Sequence, residues 1–271
     1  MAGSIARRGI LAVYAVIIVV PITVVVFGSF KTTPELFASP FGLPSSVSFG
    51  NYDTVLNEQN LARALLNSAL VTCTSVAVTL FLGSLAAYAV ARIPGWKSWL
   101  IFGFLVLGMS VPAQANMIPQ YVLFERLGLL DSLLGLVLIN VVVGLPVAVF
   151  ILGGFLKSLP RETYEASAID GAGPWRTYRS VAMPMALPSV AATAIFLFVI
   201  QWNDLLYPLL FIRSPEKKTL PLALLDFQGQ FLTDYPLLFT GVIIASLPLV
   251  VAYVLLQRYF VAGMTAGSVK G

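Results

Sequence analysis

Apolar stretches separated by short polar segments dominate the chain, at about residues 9–30, 61–91, 98–120, 132–156, 185–211 and 236–257. Each is long enough for a helix crossing a hydrocarbon layer, which takes about 20 residues. The pattern predicts an all-α membrane protein with six transmembrane helices, forming a single transmembrane domain over residues 1–271. Arg7 and Arg8 precede the first run, which is longer than a signal-peptide core and has no obvious small-x-small cleavage site. It is therefore expected to remain as the first span. The proline- and serine-rich stretch Lys31 to Asn60 is expected to be an external loop with a short surface helix near Tyr52 to Glu58.

Irregularities inside the runs point to packing and to chemistry. Gly83, Ala87 and Ala91 recur every fourth residue in the second run and would let another helix approach closely, a packing feature. The later half of the third run carries Pro112, Gln114, Asn116, Pro119 and Gln120. Broken, polar helix at membrane depth is tolerated where protein or a water-filled cavity faces it, so this part either lines a pathway or hydrogen-bonds between helices. The fourth run holds Gly144 and Pro146, where a kink is expected. Near the outer end of the fifth run, Gln201, Asn203 and Asp204 interrupt apolar sequence. A carboxylate there must face the bundle or water, which makes Asp204 a translocation-path candidate as well as a candidate for interhelical or interfacial bonding.

The balance of Lys and Arg orients the spans. Ten of these residues fall on the side that holds both termini and the loop after the fourth span, against six on the other side, which places both termini in the cytoplasm. Composition agrees with the pattern: of 271 residues, 58% are hydrophobic and 10% charged, and the mean hydropathy is +0.91. The net charge of +4 is spread over short loops rather than gathered in a stripe, which argues against a nucleic-acid partner. One cysteine, Cys73, and no histidine exclude a disulfide framework, a Cys/His zinc site and a histidine-based triad, so neither catalytic nor metal-ligating residues are expected. No phosphate-binding Gly-x-x-x-x-Gly-Lys-Ser/Thr loop is present, so energy must come from another chain.

The one long polar interruption with a pattern of its own is Lys157 to Pro184. Pro160 suits the first position of a helix, and Glu162 and Glu165 bring negative charge to its opening turns. Gly171 reads as the stop, and Gly173-Pro174 opens a second helix running towards Met183-Pro184. The small residues Ala166, Ser167 and Ala168 make the first helix slender enough to enter a groove. Without Pro184 at its interval, an amphipathic connector on the membrane surface would be the better account.

At these residues the chain resembles the permease subunits of binding-protein-dependent ABC importers. Their signature runs E-A-A, three residues, G, nine residues, I-x-L-P, and Glu165-Ala166-Ser167, Gly171 and Val181-Ala182-Met183-Pro184 keep every interval. Asn51-Tyr52, the run QWNDLLYPLLF from Gln201 and the ending FVAGMTAGSVKG are similar to the carbohydrate branch, which carries maltose, oligosaccharides or glycerol phosphates. The resemblance implies short cytoplasmic coupling helices between spans four and five, with Glu165, Ala166, Ser167, Asp170, Gly171 and Pro184 coupling to an ATPase. It also implies a second permease subunit, two cytoplasmic ATPase subunits that bind ATP and Mg, and an extracytoplasmic solute-binding protein. The segment Arg213 to Tyr235 would touch the binding protein and the glycine-rich tail the ATPases. An ion-coupled carrier would show intramembrane charges in corresponding halves, whereas Asp204 stands almost alone. An intramembrane enzyme would need a catalytic pair that the spans do not offer. An importer of this type for a non-sugar solute is the remaining alternative.

Overall fold

The computed structural model describes residues 2–228 and 233–266, and these are helical apart from short connections. In chain order the helices are α1 (Ala2–Gly28), α2 (Thr33–Ala38), α3 (Gly50–Asp53), α4 (Leu61–Arg92), α5 (Trp96–Leu107), α6 (Met117–Arg126), α7 (Leu133–Ser158), α8 (Arg161–Ile169), α9 (Pro174–Thr177), α10 (Met183–Trp202), α11 (Leu206–Phe211), α12 (Leu220–Leu224) and α13 (Tyr235–Ala266). Among the described residues, five helices are long and apolar enough to cross a membrane, and a bent pair makes a sixth crossing if counted as one. The glycine-rich tail runs in α13 as far as Ala266, beyond the expected end of the sixth span, and 267–271 lie outside the described residues.

Two of the expected spans are broken. The third bends by 86° between Trp96–Ser110 and Ala113–Arg126. Pro112 lacks an N–H and drives the residue before it out of helical backbone, and Val111 is accordingly extended at φ −92, ψ 117. Pro119 breaks nothing, because it falls in the first turn of α6, where no N–H partner is required. The expected fifth span divides after Trp202, and α11 begins at Leu206. Pro208, like Pro119, falls in the first turn of the helix it belongs to, where its missing N–H needs no partner. By contrast α7 runs as one helix through Pro146.

The chain packs as two compact units, Met1–Leu66 with Thr219–Pro248, and Asn67–Lys218 with Leu249–Gly271. In the first, α1 leaves its apolar side chains from Ile10 to Ile22 exposed, while its end is tied down by polar bonds. Asn51 Nδ2 donates to the carbonyls of Ser29 (2.8 Å) and Lys31 (3.0 Å), and Thr240 Oγ1 donates to Ser29 O at 3.2 Å. Lys31 is buried, its ammonium donating to the carbonyls of Ser39 (2.7 Å) and Gly42 (2.6 Å) and so folding back the loop after α2. The short helix expected near Tyr52 is α3, which a π turn extends through Thr54–Glu58.

In the second unit α7 is the central element, packed on α5 and α10, with half of its span buried. The small-residue stripe of α4 serves close packing: a Cβ at Gly83 would stand 2.8 Å from Ala148 Cβ on α7, and Ala87 is fully buried. Val76, Ala148 and Leu197 then join α4, α7 and α10 in one apolar cluster. A second cluster, Ala87, Tyr88, Leu152, Leu156, Tyr164, Tyr178, Ala182 and Ala186, joins the ends of the same helices to α8.

Candidate functional sites: a projecting helix and a cavity between broken helices

α8 begins one residue later than the sequence suggests, with Pro160 as its N-cap in extended backbone at φ −56, ψ 136. Its end is a Schellman arrangement: Ala172 N–H bonds Ser167 O at 3.0 Å, Gly171 N–H bonds Ala168 O at 3.0 Å, and Gly171 takes φ +71. Only glycine adopts that backbone without penalty, which is why the glycine of the signature stands where it does. Pro174 then occupies the first position of α9, and a π turn over Tyr178–Ala182 leads directly into α10. The second predicted helix therefore does not end at Met183-Pro184. Pro174–Trp202 is one span-forming run, with Pro184 in the first turn of α10.

The signature residues divide between two faces. Glu165, Ala166, Ala168, Asp170 and Gly171 are exposed, whereas Ser167 is buried and its Oγ lies 2.8 Å from Thr177 Oγ1 on α9. Ser167 thus belongs to the inner face, not to the face offered to a groove. Ile169, which the sequence reading did not single out, is 87% exposed on the offered face. A large aliphatic side chain left bare at a helix end is what a recipient pocket would take up.

α8 is fastened to three spans. Tyr164 OH donates to Leu156 O of α7 at 3.3 Å, and the Arg92 guanidinium at the end of α4 lies 4.8 Å from the Tyr164 ring centroid. Burial pushes the Tyr164 phenol above its ordinary pKa, with Tyr88 adding to the shift and Arg92 opposing it. Tyr88 OH donates to Pro174 O at 3.1 Å, and Ser84 Oγ lies 2.8 Å from Tyr178 OH. Displacement of α8 therefore pulls on α4, α7 and α10 together.

The broken helices enclose a cavity of about 240 Å³ lined by Gln114, Asn140, Gln201, Asp204 and Tyr207 among apolar neighbours. Of the predicted path residues it collects Gln114, Gln201 and Asp204 but not Asn116 or Asn203, and Asn203 Nδ2 donates to Val199 O at 2.8 Å on its own helix. Asn140 and Tyr207 were missed by the sequence reading, Asn140 because it is a single amide in a long apolar run. Gln201 Nε2 donates to Asn140 O at 3.3 Å, while Gln201 Oε1 is buried with no hydrogen-bond partner among the described residues. Such an acceptor normally carries a cost unless a donor arrives. Asp204 Oδ1 accepts the N–H groups of Leu206 (3.1 Å) and Tyr207 (3.5 Å) at the start of α11, and Tyr207 OH donates to Gln120 Oε1 at 3.0 Å.

Beyond α11 the connection 212–218 is held by one carboxylate. Asp131 Oδ1 accepts the backbone N–H of Arg213 (3.0 Å) and of Ser214 (2.9 Å), and Oδ2 accepts from the Ser214 hydroxyl and pairs with Lys217 at 3.2 Å. These donors, the Ser214 hydroxyl foremost, hold the Asp131 carboxyl well below the usual carboxylate range. Asn67 Nδ2 holds the same segment from α4, donating to the carbonyls of Glu216 and Lys218, both at 2.9 Å. Within the expected binding-protein loop, 229–232 lie outside the described residues.

Broken spans around a largely apolar cavity that holds a few polar side chains, with a projecting helix fixed to their ends, define a multi-pass helical membrane permease. The chain belongs to the family described as binding-protein-dependent transport system inner membrane component, which matches residues 79–266. It is 33% identical over 267 residues to the diacetylchitobiose uptake system permease protein NgcG of Streptomyces coelicolor, covering 97% of this chain and 88% of that one. To the multiple sugar-binding transport system permease protein MsmG of Streptococcus mutans it is 33% identical over 265 residues, covering 96% and 95%. A bacterial ABC transporter involved in the import of the acidic polysaccharide alginate has the same fold, with a TM-score of 0.83 at 20% identity and 96% of each chain covered. The membership expected from the signature intervals is thus the membership found.

Proposed function

We propose that this chain is the membrane permease subunit of an ATP-driven importer and translocates a carbohydrate delivered by an extracytoplasmic solute-binding protein. The observation that carries the reading is α8: an exposed, slender helix with its outward carboxylates unpaired among the described residues, fastened to α4, α7 and α10. In the proposed assembly α8 and both termini are cytoplasmic, and α8 enters a cleft on one of two ATPase subunits, which bind ATP and Mg. Closure of the ATPases carries α8 with it, and the attached spans switch between packed arrangements because interdigitated helices do not deform continuously. Glu165 and Asp170 offer acceptors to basic or N–H groups of the cleft, and Ile169 fills an apolar recess.

A second permease subunit completes the pathway. On this side the largely apolar cavity, with Gln114, Asn140, Gln201, Asp204 and Tyr207 in its wall, would meet the apolar ring faces of a sugar and offer a few polar groups to its hydroxyls. The relatives named for diacetylchitobiose and for multiple sugars support a carbohydrate. The segment 212–218, held by Asp131 and Asn67, together with the loop that follows it, is the contact for the binding protein, and the tail approaches the ATPases. Purification from the native membrane tests the assembly: an ATP-binding subunit should co-elute, and reconstituted uptake of an oligosaccharide should require ATP and the binding protein. Ion-driven uptake by this chain alone would overturn the reading.

A further inference from the structure

A second cleft, of about 650 Å³, opens where α4 and α7 end and α5 begins. Arg92, Trp96, Trp99, Lys157 and Glu165 are among its lining residues, and none of them belongs to the cavity between the broken helices. Arg92 lies over the Tyr164 ring, and Lys157 Nζ stands 4.9 Å from the Trp99 centroid and 4.3 Å from that of Phe102. Ring faces attract cations but do not neutralise them. Among the described residues neither Arg92 nor Lys157 is ion-paired, and with the single carboxylate of Glu165 in the same lining the two basic side chains leave the cleft with an excess of positive charge.

The depth of the cleft fixes what can supply the missing charge. Two span-forming helices finish at Arg92 and Ser158, so the cleft sits where hydrocarbon gives way to headgroups. Trp96 and Trp99, 70% and 73% exposed, flank it as indoles do at that boundary. Gly95, at φ +75, turns the chain so that both indoles fall on the cleft. We propose that this cleft binds the phosphodiester of an anionic phospholipid, the phosphate lying between Arg92 and Lys157 and the acyl chains beside Trp96 and Trp99. Basic pockets between spans hold lipid headgroups in this way. Glu165, which also lines the cleft, limits the negative charge the cleft accepts, which favours a single phosphodiester over a polyphosphate. The inference rests on the chain being a membrane protein and is independent of the solute carried.

Native mass spectrometry of the full-length chain, titrated with dioleoylphosphatidylglycerol or dioleoylphosphatidylcholine, tests this directly. The anionic lipid should be retained on the order of tenfold better than the zwitterionic one, and the double variant Arg92→Gln/Lys157→Gln should abolish the preference. The charge-keeping pair Arg92→Lys/Lys157→Arg should preserve it. If the double variant fails to fold, Arg92→Gln alone, which loses the Tyr164 ring contact but leaves the Tyr164–Leu156 hydrogen bond in place, should remain folded and lose several-fold retention. Equal retention of both lipids by the parent chain, or undiminished retention by the folded variants, would overturn the proposal. So would complete displacement of the lipid by millimolar inorganic phosphate, which would assign the cleft to a soluble anion. Lipid that survives such phosphate supports it.

Discussion

The hydroxyls of Ser167 and Thr177 lie 2.8 Å apart, joining the inner face of α8 to the first turn of α9. Both residues are buried, so the bond is shielded from water and holds the two short helices as a pair. Ser167→Ala leaves the Thr177 hydroxyl without its partner and should destabilise the pair by about 1–2 kcal/mol. Hydrogen exchange across 161–182 should speed up accordingly, with the spans unaffected.

Gly171 at φ +71 meets nothing where a Cβ would project, so the cost of a side chain there is conformational alone. Gly171→Val should weaken the end of α8 by about 1–2 kcal/mol, and Gly171→Asn by less, because asparagine tolerates this backbone. Uptake in membrane vesicles should fall in the same order at equal protein levels. A Gly171→Val protein that transports at the parental rate would show that the shape of this turn does not matter.

Glu165 is exposed on the face proposed to dock. Glu165→Lys should leave the chain inserted and folded, as judged by its melting curve, yet abolish uptake and co-elution with the ATP-binding subunit.

At Gly83 the approach of α7 leaves no room for a side chain. Gly83→Leu should cost about 1–3 kcal/mol through overpacking against Ala148, read as a lower melting midpoint in detergent. Gly103, where a Cβ meets nothing within 4 Å, should accept alanine without that loss.

Because donors hold the Asp131 carboxyl below its ordinary pKa, its contribution is complete above about pH 4 and is lost as pH falls through the depressed value. Protection factors of the Arg213 and Ser214 amides should drop over that acid range in the parent chain. In Asp131→Asn they should be lower at neutral pH and flat with acidification. Weaker stimulation of the ATPase by the binding protein should accompany that variant if 212–218 is the docking segment.

Asp204 carries two duties that substitutions separate. Asp204→Asn keeps an acceptor for the N–H groups of Leu206 and Tyr207 but removes the charge from the cavity, whereas Asp204→Ala removes both. Solute affinity should shift in either variant, and only the alanine should also lower the melting midpoint.

Much of this was legible in the sequence because lipid imposes strict rules. Apolar length gave the spans, Gly171 gave the turn it makes, and the intervals from Glu165 to Pro184 gave the family. Where helices break was less legible, since a proline breaks a helix only when the N–H it lacks was required. Pro112 sits at a break, while Pro119, Pro184 and Pro208 fall in first turns, and nothing local in the sequence separates these cases. Faces were harder still. Ser167 reads as one more small residue of the docking surface until Thr177 is seen to face it, and Asn140 acquires meaning only when α10 brings Gln201 to its carbonyl.

The bare aliphatic flank of α1, from Ile10 to Ile22, has a consequence for the cell as well as for the fold. Once the helix lies in the bilayer, acyl chains cover that flank and no protein partner is needed there. Before insertion the same flank meets water, so delivery of this segment to the membrane should have to keep pace with its synthesis.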